Sequence, residues 1–188
     1  MTKQYRALIY AAIIGLLTVI IFLGFLMGLD NKLSWLLVIV LVAIPYLYSY
    51  NKSNKVVRWK DSYSVGIESL DADHRKLLSL LNQFNTAYEY YMGESFERQS
   101  LKELIDYTHY HFEREEKMME EAGYEDIEAH KKQHQAMIAE INVLDAKYAE
   151  HGHEAFAEIS KYLTNWLLNH INGTDKQYSE VMIAKGLK

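Results

Sequence analysis

The N-terminal part of the chain shows no alternation of apolar and polar positions, only two long apolar blocks. Residues 7–29 are 23 positions without a charge, and residues 33–50 add 18 more. At about 1.5 Å per helical residue each block spans, or nearly spans, a hydrocarbon core of about 30 Å. Asp30, Asn31 and Lys32 leave room only for a tight turn between them, so the pattern predicts a helical hairpin. Trp35, Tyr46, Tyr48 and Tyr50 suit the aromatic belts of a bilayer. The first block is too long for a signal peptide, and a second follows directly with no small-residue cleavage site between them. Gly24 and Gly28 form a GxxxG spacing, a weak signal for helix packing.

Beyond residue 60 the pattern changes to apolar residues alternating three and four apart, the mark of amphipathic helices. The first seam runs Leu70, His74, Leu77, Leu81, Phe84, Tyr88, Tyr91. A second holds Leu101, Leu104, Thr108, His111, Glu115 and Met118. The third is Ile127, His130, His134, Met137, Ile141, Leu144, Tyr148, and the fourth begins Phe156, Ile159, Leu163, Trp166, His170. Short glycine-containing breaks at 92–95, 121–123 and 151–153 separate them. Short loops between long helices make sequence neighbours antiparallel. The predicted fold is all-α, an antiparallel up-down-up-down four-helix bundle preceded by a transmembrane helical hairpin. Residues 1–58 form the anchor and residues 59–188 the bundle. The lone proline, Pro45, leaves the bundle helices uninterrupted.

The seams themselves carry the chemistry. His74, His111, Glu115, His130, His134 and His170 all fall on apolar faces, where an unpaired polar group costs several kcal/mol. Side chains four apart on a helix differ in direction by about 40°, so the pairs 111/115 and 130/134 can each reach one centre. Asp175 lies five residues after His170, about 140° away on an ideal helix. The seam slips there too, resuming at Tyr178 and Met182 with Asp175 in step. One extra residue near Asn172, Gly173 and Thr174, held in a π-bulge, accounts for both facts and returns Asp175 to the core. His109 points elsewhere, and His151 and His153 flank a loop glycine; all three are expected at the surface. Met118 and Met119 are expected to fill core space.

Composition narrows the chemistry. Without cysteine there is no disulfide, thiolate zinc site or iron–sulfur cluster. Five imidazoles and two carboxylates exceed one tetrahedral zinc and suit two first-row ions bridged by the carboxylates. Residues 1–60 hold seven basic side chains and one acidic, residues 61–188 13 basic and 24 acidic. An acidic soluble part excludes a nucleic-acid partner. Lys3 and Arg6 precede the hairpin and Lys52, Lys55, Arg58 and Lys60 follow it, so both termini and the bundle are expected in the cytoplasm.

These residues resemble the hemerythrins in their bacterial form. The resemblance covers roughly residues 59–183 and rests on Trp59, the run Ser64-Val65-Gly66-Ile67, Asp71-x-x-His74, His111-x-x-x-Glu115, His130-x-x-x-His134 and His170-x-x-x-x-Asp175. It implies a non-heme centre of two Fe ions binding O2 reversibly, and so an O2-binding protein that is not an enzyme. It implies that His130, His134 and His170 hold one iron, His74 and His111 the other, with Glu115 and Asp175 bridging. Phe112, Trp166, Leu167 and Ile171 match positions that line the family's apolar O2 pocket. Together with the hairpin, the expected setting is a bacterial inner membrane crossed twice. The expected partners are dioxygen, the lipid bilayer and a membrane oxidase or oxygenase, with self-association through the transmembrane helices as a further expectation. An O2- or iron-responsive interaction module is the alternative. A di-iron enzyme acting on peroxide or nitric oxide is disfavoured, because no proton donor is evident beside the site.

Overall fold

The computed structural model describes residues 3–53, 56–90 and 92–187 and is helical throughout, with no strand among the described residues. The chain divides into two compact units, Met1–Val56 and Val57–Lys188.

The first unit is a pair of helices, α1 (Lys3–Leu26) and α2 (Lys32–Ser53), packed against each other. Their turn is closed by side chains. Asn31 Nδ2 donates to the carbonyl of Gly24 (3.1 Å), its Oδ1 accepts from Leu33 N (3.1 Å), and Trp35 Nε1 donates to Leu29 O (2.9 Å). A Cβ at Gly24 would collide with the Ser34 hydroxyl, so the absent side chain is what lets α2 approach there. Gly28 lies in the turn at φ 141°, beyond the end of α1, so the expected GxxxG is not a two-glycine helix face. Within α1, Leu8–Leu26 is long and apolar enough to cross a membrane, and its side chains are largely exposed rather than packed as a soluble core. The apolar part of α2 among the described residues, Lys32–Tyr46, is shorter, so only one of the two expected spans reaches full length there. Pro45 near its end cannot donate a helical hydrogen bond. The side chains of Lys3, Arg6, Tyr48, Tyr50, Lys52 and Lys55 lie outside the described residues.

The second unit is a helical bundle of α3 (Glu68–Tyr90), α4 (Glu94–Ala122), α5 (Ile127–His151) and a fourth rod, α6 (Phe156–Asn169) running through a π turn (His170–Thr174) into α7 (Asp175–Ala184). Each element ends for a local reason. Gly123 takes the left-handed conformation after α4 (φ 71°), where a β-carbon is penalised, and lets Tyr124 N reach the Met119 carbonyl (3.0 Å).

Two apolar clusters occupy the interior. One contains Leu77, Leu81, Leu104, Met137, Leu163 and Leu167, and the other Val65, Ile67, Leu70, Met119, Tyr178 and Met182. Fully burying each such side chain is worth about 1.5–3 kcal/mol. Chain order shows what lies between. Along α3 the sequence runs Leu70, His74, Leu77; along α4 it reverses, Leu104, His111, Glu115, Met119. On α5, His134 precedes Met137, and on the last rod Leu163 precedes His170, Asp175 and Tyr178. Every rod thus carries its candidate ligands between the same two clusters, and consecutive rods run in opposite directions.

An arm, residues 57–67, precedes α3. Val57 exchanges both backbone groups with the Asn82 carboxamide (2.9 and 2.7 Å), and the Arg75 guanidinium lies over Trp59, 4.3 Å from its ring centroid. Asp71 accepts from Val65 N (2.8 Å) and from the Ser64 hydroxyl. Lys176 and Ser179 of α7 donate to the carbonyls of Ser64 and Val65. The arm is thereby fixed to the helix that begins with Asp175.

Candidate metal centre

The helical rise places His74 on α3, His111 and Glu115 one turn apart on α4, and His130 and His134 one turn apart on α5. The π turn then decides the seventh position. Its wider winding brings Asp175 round to the face of His170, as the slipped seam implies, and both are buried. All seven side chains are 4% exposed or less.

Six of them fall into two groups sharing one residue. Glu115, His130, His134 and His170 present ligand atoms within 4.8 Å of one another, and so do His74, His111 and Glu115. Glu115 Oε2 lies 3.3 Å from both His130 Nε2 and His134 Nε2, while Oε1 faces His111 Nε2 at 3.8 Å. Asp175 does the same from the opposite rod. Its Oδ1 is 3.1 Å from His170 Nε2 and 3.7 Å from His130 Nε2, and its Oδ2 is 3.3 Å from His74 Nε2. Each carboxylate therefore turns one oxygen to each histidine group.

Hydrogen bonds alone do not satisfy this arrangement. Both Asp175 oxygens, both His74 nitrogens, His111 Nδ1 and His130 Nδ1 are buried without a partner. His134 Nε2 meets His130 Nε2 at 3.1 Å and His170 Nε2 at 2.9 Å. Glu116 Oε1 accepts from His134 Nδ1 (2.8 Å), an arrangement in which the other ring nitrogen, Nε2, is the one turned to the centre. Cations accept several lone pairs at once, so the donor set fits metal ions where it fits no hydrogen-bond network.

The charges are arranged accordingly. Burial pushes the Glu115 carboxyl up, but the charge of His111 and hydrogen bonds from His130 and His134 outweigh it and hold it well below its usual range. Asp175 goes the other way: burial and then the Glu115 charge drive it well above the ordinary carboxyl value. Burial depresses His74, and depresses His170 to about 2, so both are neutral imidazoles able to donate a lone pair.

The remaining candidates sit around this layer. Phe112 stacks on the His134 imidazole (3.6 Å, 3°) and Trp166 on that of His170 (4.2 Å, 18°). Leu167 and Ile171 belong to the adjoining apolar cluster. Trp166 and Leu167, but not Phe112 or Ile171, line a small apolar cavity with Leu77, Leu81, Leu104, Thr108, Met137 and Leu163. Several of its walls lie one turn from a histidine of the centre. Met119, next to the expected seam position, is fully buried in the other cluster, with Met118 partly buried against it, and His109 is exposed as expected.

The structure corrects two expectations. A hydroxyl donor does stand beside the centre: Tyr178, one turn after Asp175, donates to Glu115 Oε1. Burial and the Glu115 charge raise its pKa well above the usual phenol value, so it holds its proton. A buried tyrosine needs a partner for its hydroxyl, and that was the available signal. His153 is not a free surface residue either; its Nδ1 pairs with the buried Glu97 Oε1 at 2.8 Å. The carboxylates behind two histidines, Glu116 at His134 and Asp73 at His111, left no trace in the seam pattern because they flank ligands on neighbouring faces.

Comparison with known proteins decides the family. The hemerythrin HHE cation-binding domain profile matches residues 65–181. The chain belongs to the hemerythrin family. It is 34% identical over 126 residues to a bacteriohemerythrin of Stenotrophomonas maltophilia, covering 67% of this chain and 81% of that one. A Pseudomonas aeruginosa bacteriohemerythrin is 31% identical over 126 residues, covering 66% and 80%. A crystal structure of wild-type hemerythrin superposes with a TM-score of 0.59 at 26% identity, covering 68% of this chain and 98% of that one. The hemerythrin profile begins within the arm, so the two N-terminal helices lie outside it.

Proposed function

We propose that this hemerythrin binds dioxygen reversibly at a centre of two irons and is held at a membrane by its N-terminal helices. The observation that carries the reading is the pair of buried carboxylates, each offering one oxygen to each of two histidine groups. His130, His134 and His170 would hold one iron and His74 and His111 the other, with Glu115 and Asp175 bridging. Bound as a ferrous pair, the irons supply the electrons by which dioxygen is taken up and given back. His74 and His111 offer one imidazole fewer than the other group, which would leave the iron they hold room for a ligand.

The residues do the rest. Leu77, Leu167 and Trp166 line a small, mainly apolar space one turn from the histidines, which favours an apolar ligand over water. Phe112 and Trp166 hold two imidazoles flat. Tyr178 hydrogen-bonds the Glu115 carboxylate while keeping its proton, which fixes the orientation of that carboxylate. The protein would store O2 or pass it to a membrane oxidase or oxygenase, with α1 and α2 as a hairpin in the inner membrane and the up-down-up-down bundle on the cytoplasmic side. Both hairpin flanks are rich in Lys and Arg, which favours that orientation.

Iron assay together with an anaerobic O2 titration followed by visible absorption tests the reading. Two irons per chain and a band that appears with O2 and vanishes on its removal are expected. Zinc alone, one metal per chain or steady O2 consumption would overturn it. Reporter fusions at Met1 and Lys188 test the topology separately; a periplasmic C-terminus would reverse the orientation.

A further inference from the structure

Asp73 immediately precedes His74 on α3, so its side chain leaves the helix about 100° away from the metal centre. It is nonetheless 4% exposed. Its carboxylate accepts from Tyr107 Oη at 2.9 Å and from Arg114 at 3.1 and 3.3 Å, and Oδ2 lies 3.7 Å from His111 Nδ1. Tyr107 comes four residues before His111 and Arg114 three after it. Three side chains of one α4 face are thus gathered on a single carboxylate from α3.

A plain cross-link between α3 and α4 would explain Tyr107 and Arg114, but not why the group they hold faces a ligand imidazole. His111 Nδ1 is buried and makes no hydrogen bond. The gap to Asp73 exceeds hydrogen-bond range by under about 1 Å, a small adjustment for a side chain already aimed there. A proton on Nδ1 then faces a carboxylate, and the Nε2 lone pair faces Glu115 and the metal position. The second histidine group repeats the device with Glu116 behind His134 at 2.8 Å, whereas Nδ1 of His74 and Nδ1 of His130 have nothing behind them.

We propose that Asp73, fixed by Tyr107 and Arg114, is the positioning residue for His111, holding its imidazole in the Nδ1–H tautomer so that Nε2 is presented to the metal. The proposal rests on the two-metal reading only for its consequence, since the tautomer exists before any metal binds. Carboxylates behind metal-ligating histidines are a general way of orienting the ring and raising ligand basicity, and losing one costs 10–100-fold in metal affinity.

The test uses the full-length chain in detergent with 15N-labelled histidine. In the metal-free protein His111 is expected as Nδ1–H, with that signature lost in Asp73→Ala and recovered in Asp73→Glu. After iron loading, Asp73→Ala should release one of its two irons to a chelator about 10–100-fold faster and the other at the native rate. Tyr107→Phe keeps the carboxylate and loosens it, so a smaller change in the same direction is expected even if Asp73→Ala fails to fold. A His111 tautomer unchanged in both variants, or a lowered melting temperature with both irons released alike, would assign Asp73 a cross-linking role and overturn the proposal. If the protein proved not to bind O2 at all, the tautomer result would stand unaffected.

Discussion

Two buried carboxylates in the same bundle have opposite surroundings. Glu97, in the first turn of α4, receives the His153 imidazole at 2.8 Å and the Tyr148 hydroxyl at 3.3 Å, beside a stack of Phe84, Tyr88 and Phe156. Burial and the Glu97 charge push Tyr148 up to about 12, so that hydroxyl stays protonated and donating. Asp175 is as deeply buried, and its oxygens face histidine nitrogens at 3.1 and 3.3 Å, yet neither makes a hydrogen bond. Burial is therefore not what marks a functional site in this bundle. The mark is burial left unsatisfied by protein groups, because an unpaired buried acceptor costs about 1–3 kcal/mol and needs a partner from outside the chain. The Glu97 carboxylate is satisfied as it stands, whereas the Asp175 layer offers its unpaired atoms to cations.

The largest effect expected from breaking this contrast comes at Glu115, which belongs to both histidine groups. Glu115→Ala removes a ligand from each ion and leaves His111, His130 and His134 facing one another with less compensating negative charge. Nearly all iron should be lost, while circular dichroism still reports a helical protein; retention of two irons would refute the bridging role. Next, His74→Ala should cost one iron and reversible O2 binding, since it takes one of only two histidines from its group and leaves the other group intact. An iron assay beside the O2 titration reads both, and two irons with O2 binding preserved would show His74 to be misassigned.

A third test strips the metal and varies pH. In the metal-free chain burial keeps His74 and His170 from taking protons, whereas an unfolded histidine protonates near 6.5. Below that pH the unfolded chain binds protons that the folded chain refuses, so stability falls with falling pH. Asp175 opposes this, because its raised pKa makes the folded state the better proton binder above pH 3.8. Two histidines against one carboxyl leave a fall in stability as the expected net effect as pH drops through about 6.5. Urea unfolding of chelator-treated protein measures it, and a flat profile would mean the layer is hydrated without metal. The smallest effect is a gain. Gly173 has a negative φ and open space where a Cβ would sit, so Gly173→Ala should stabilise the chain by about 0.5–1 kcal/mol with iron content unchanged.

Much of this was legible in the residue pattern, for a physical reason. Ligands that must converge inside a bundle have to occupy apolar seams, where polar residues stand out, and even the π turn announced itself as a seam displaced by one position. What escaped has a reason too. Asp73 and Glu116 act from faces next to the seam, where a carboxylate resembles any solvated one until the neighbouring helix is in place. Tyr178 sat in the expected seam, but its role depended on which oxygen of Glu115 it meets. His153 reached Glu97 only because helices distant in sequence meet there. At the N-terminus the two uncharged blocks fall in α1 and α2, whose described apolar parts are Leu8–Leu26 and Lys32–Tyr46.

The π turn also determines where the gene can change length. Losing one codon inside α4 or α5 would rotate every later residue of that helix by about 100° and scatter ligands spaced four apart. In His170–Thr174 the helix already accommodates one residue more than an α-helix needs. Loss of a codon there would let the segment relax to ordinary winding, with His170 and the aspartate four apart and still on one face. Among the ligand-bearing segments, this turn is where a deletion is compatible with all seven ligands keeping their faces.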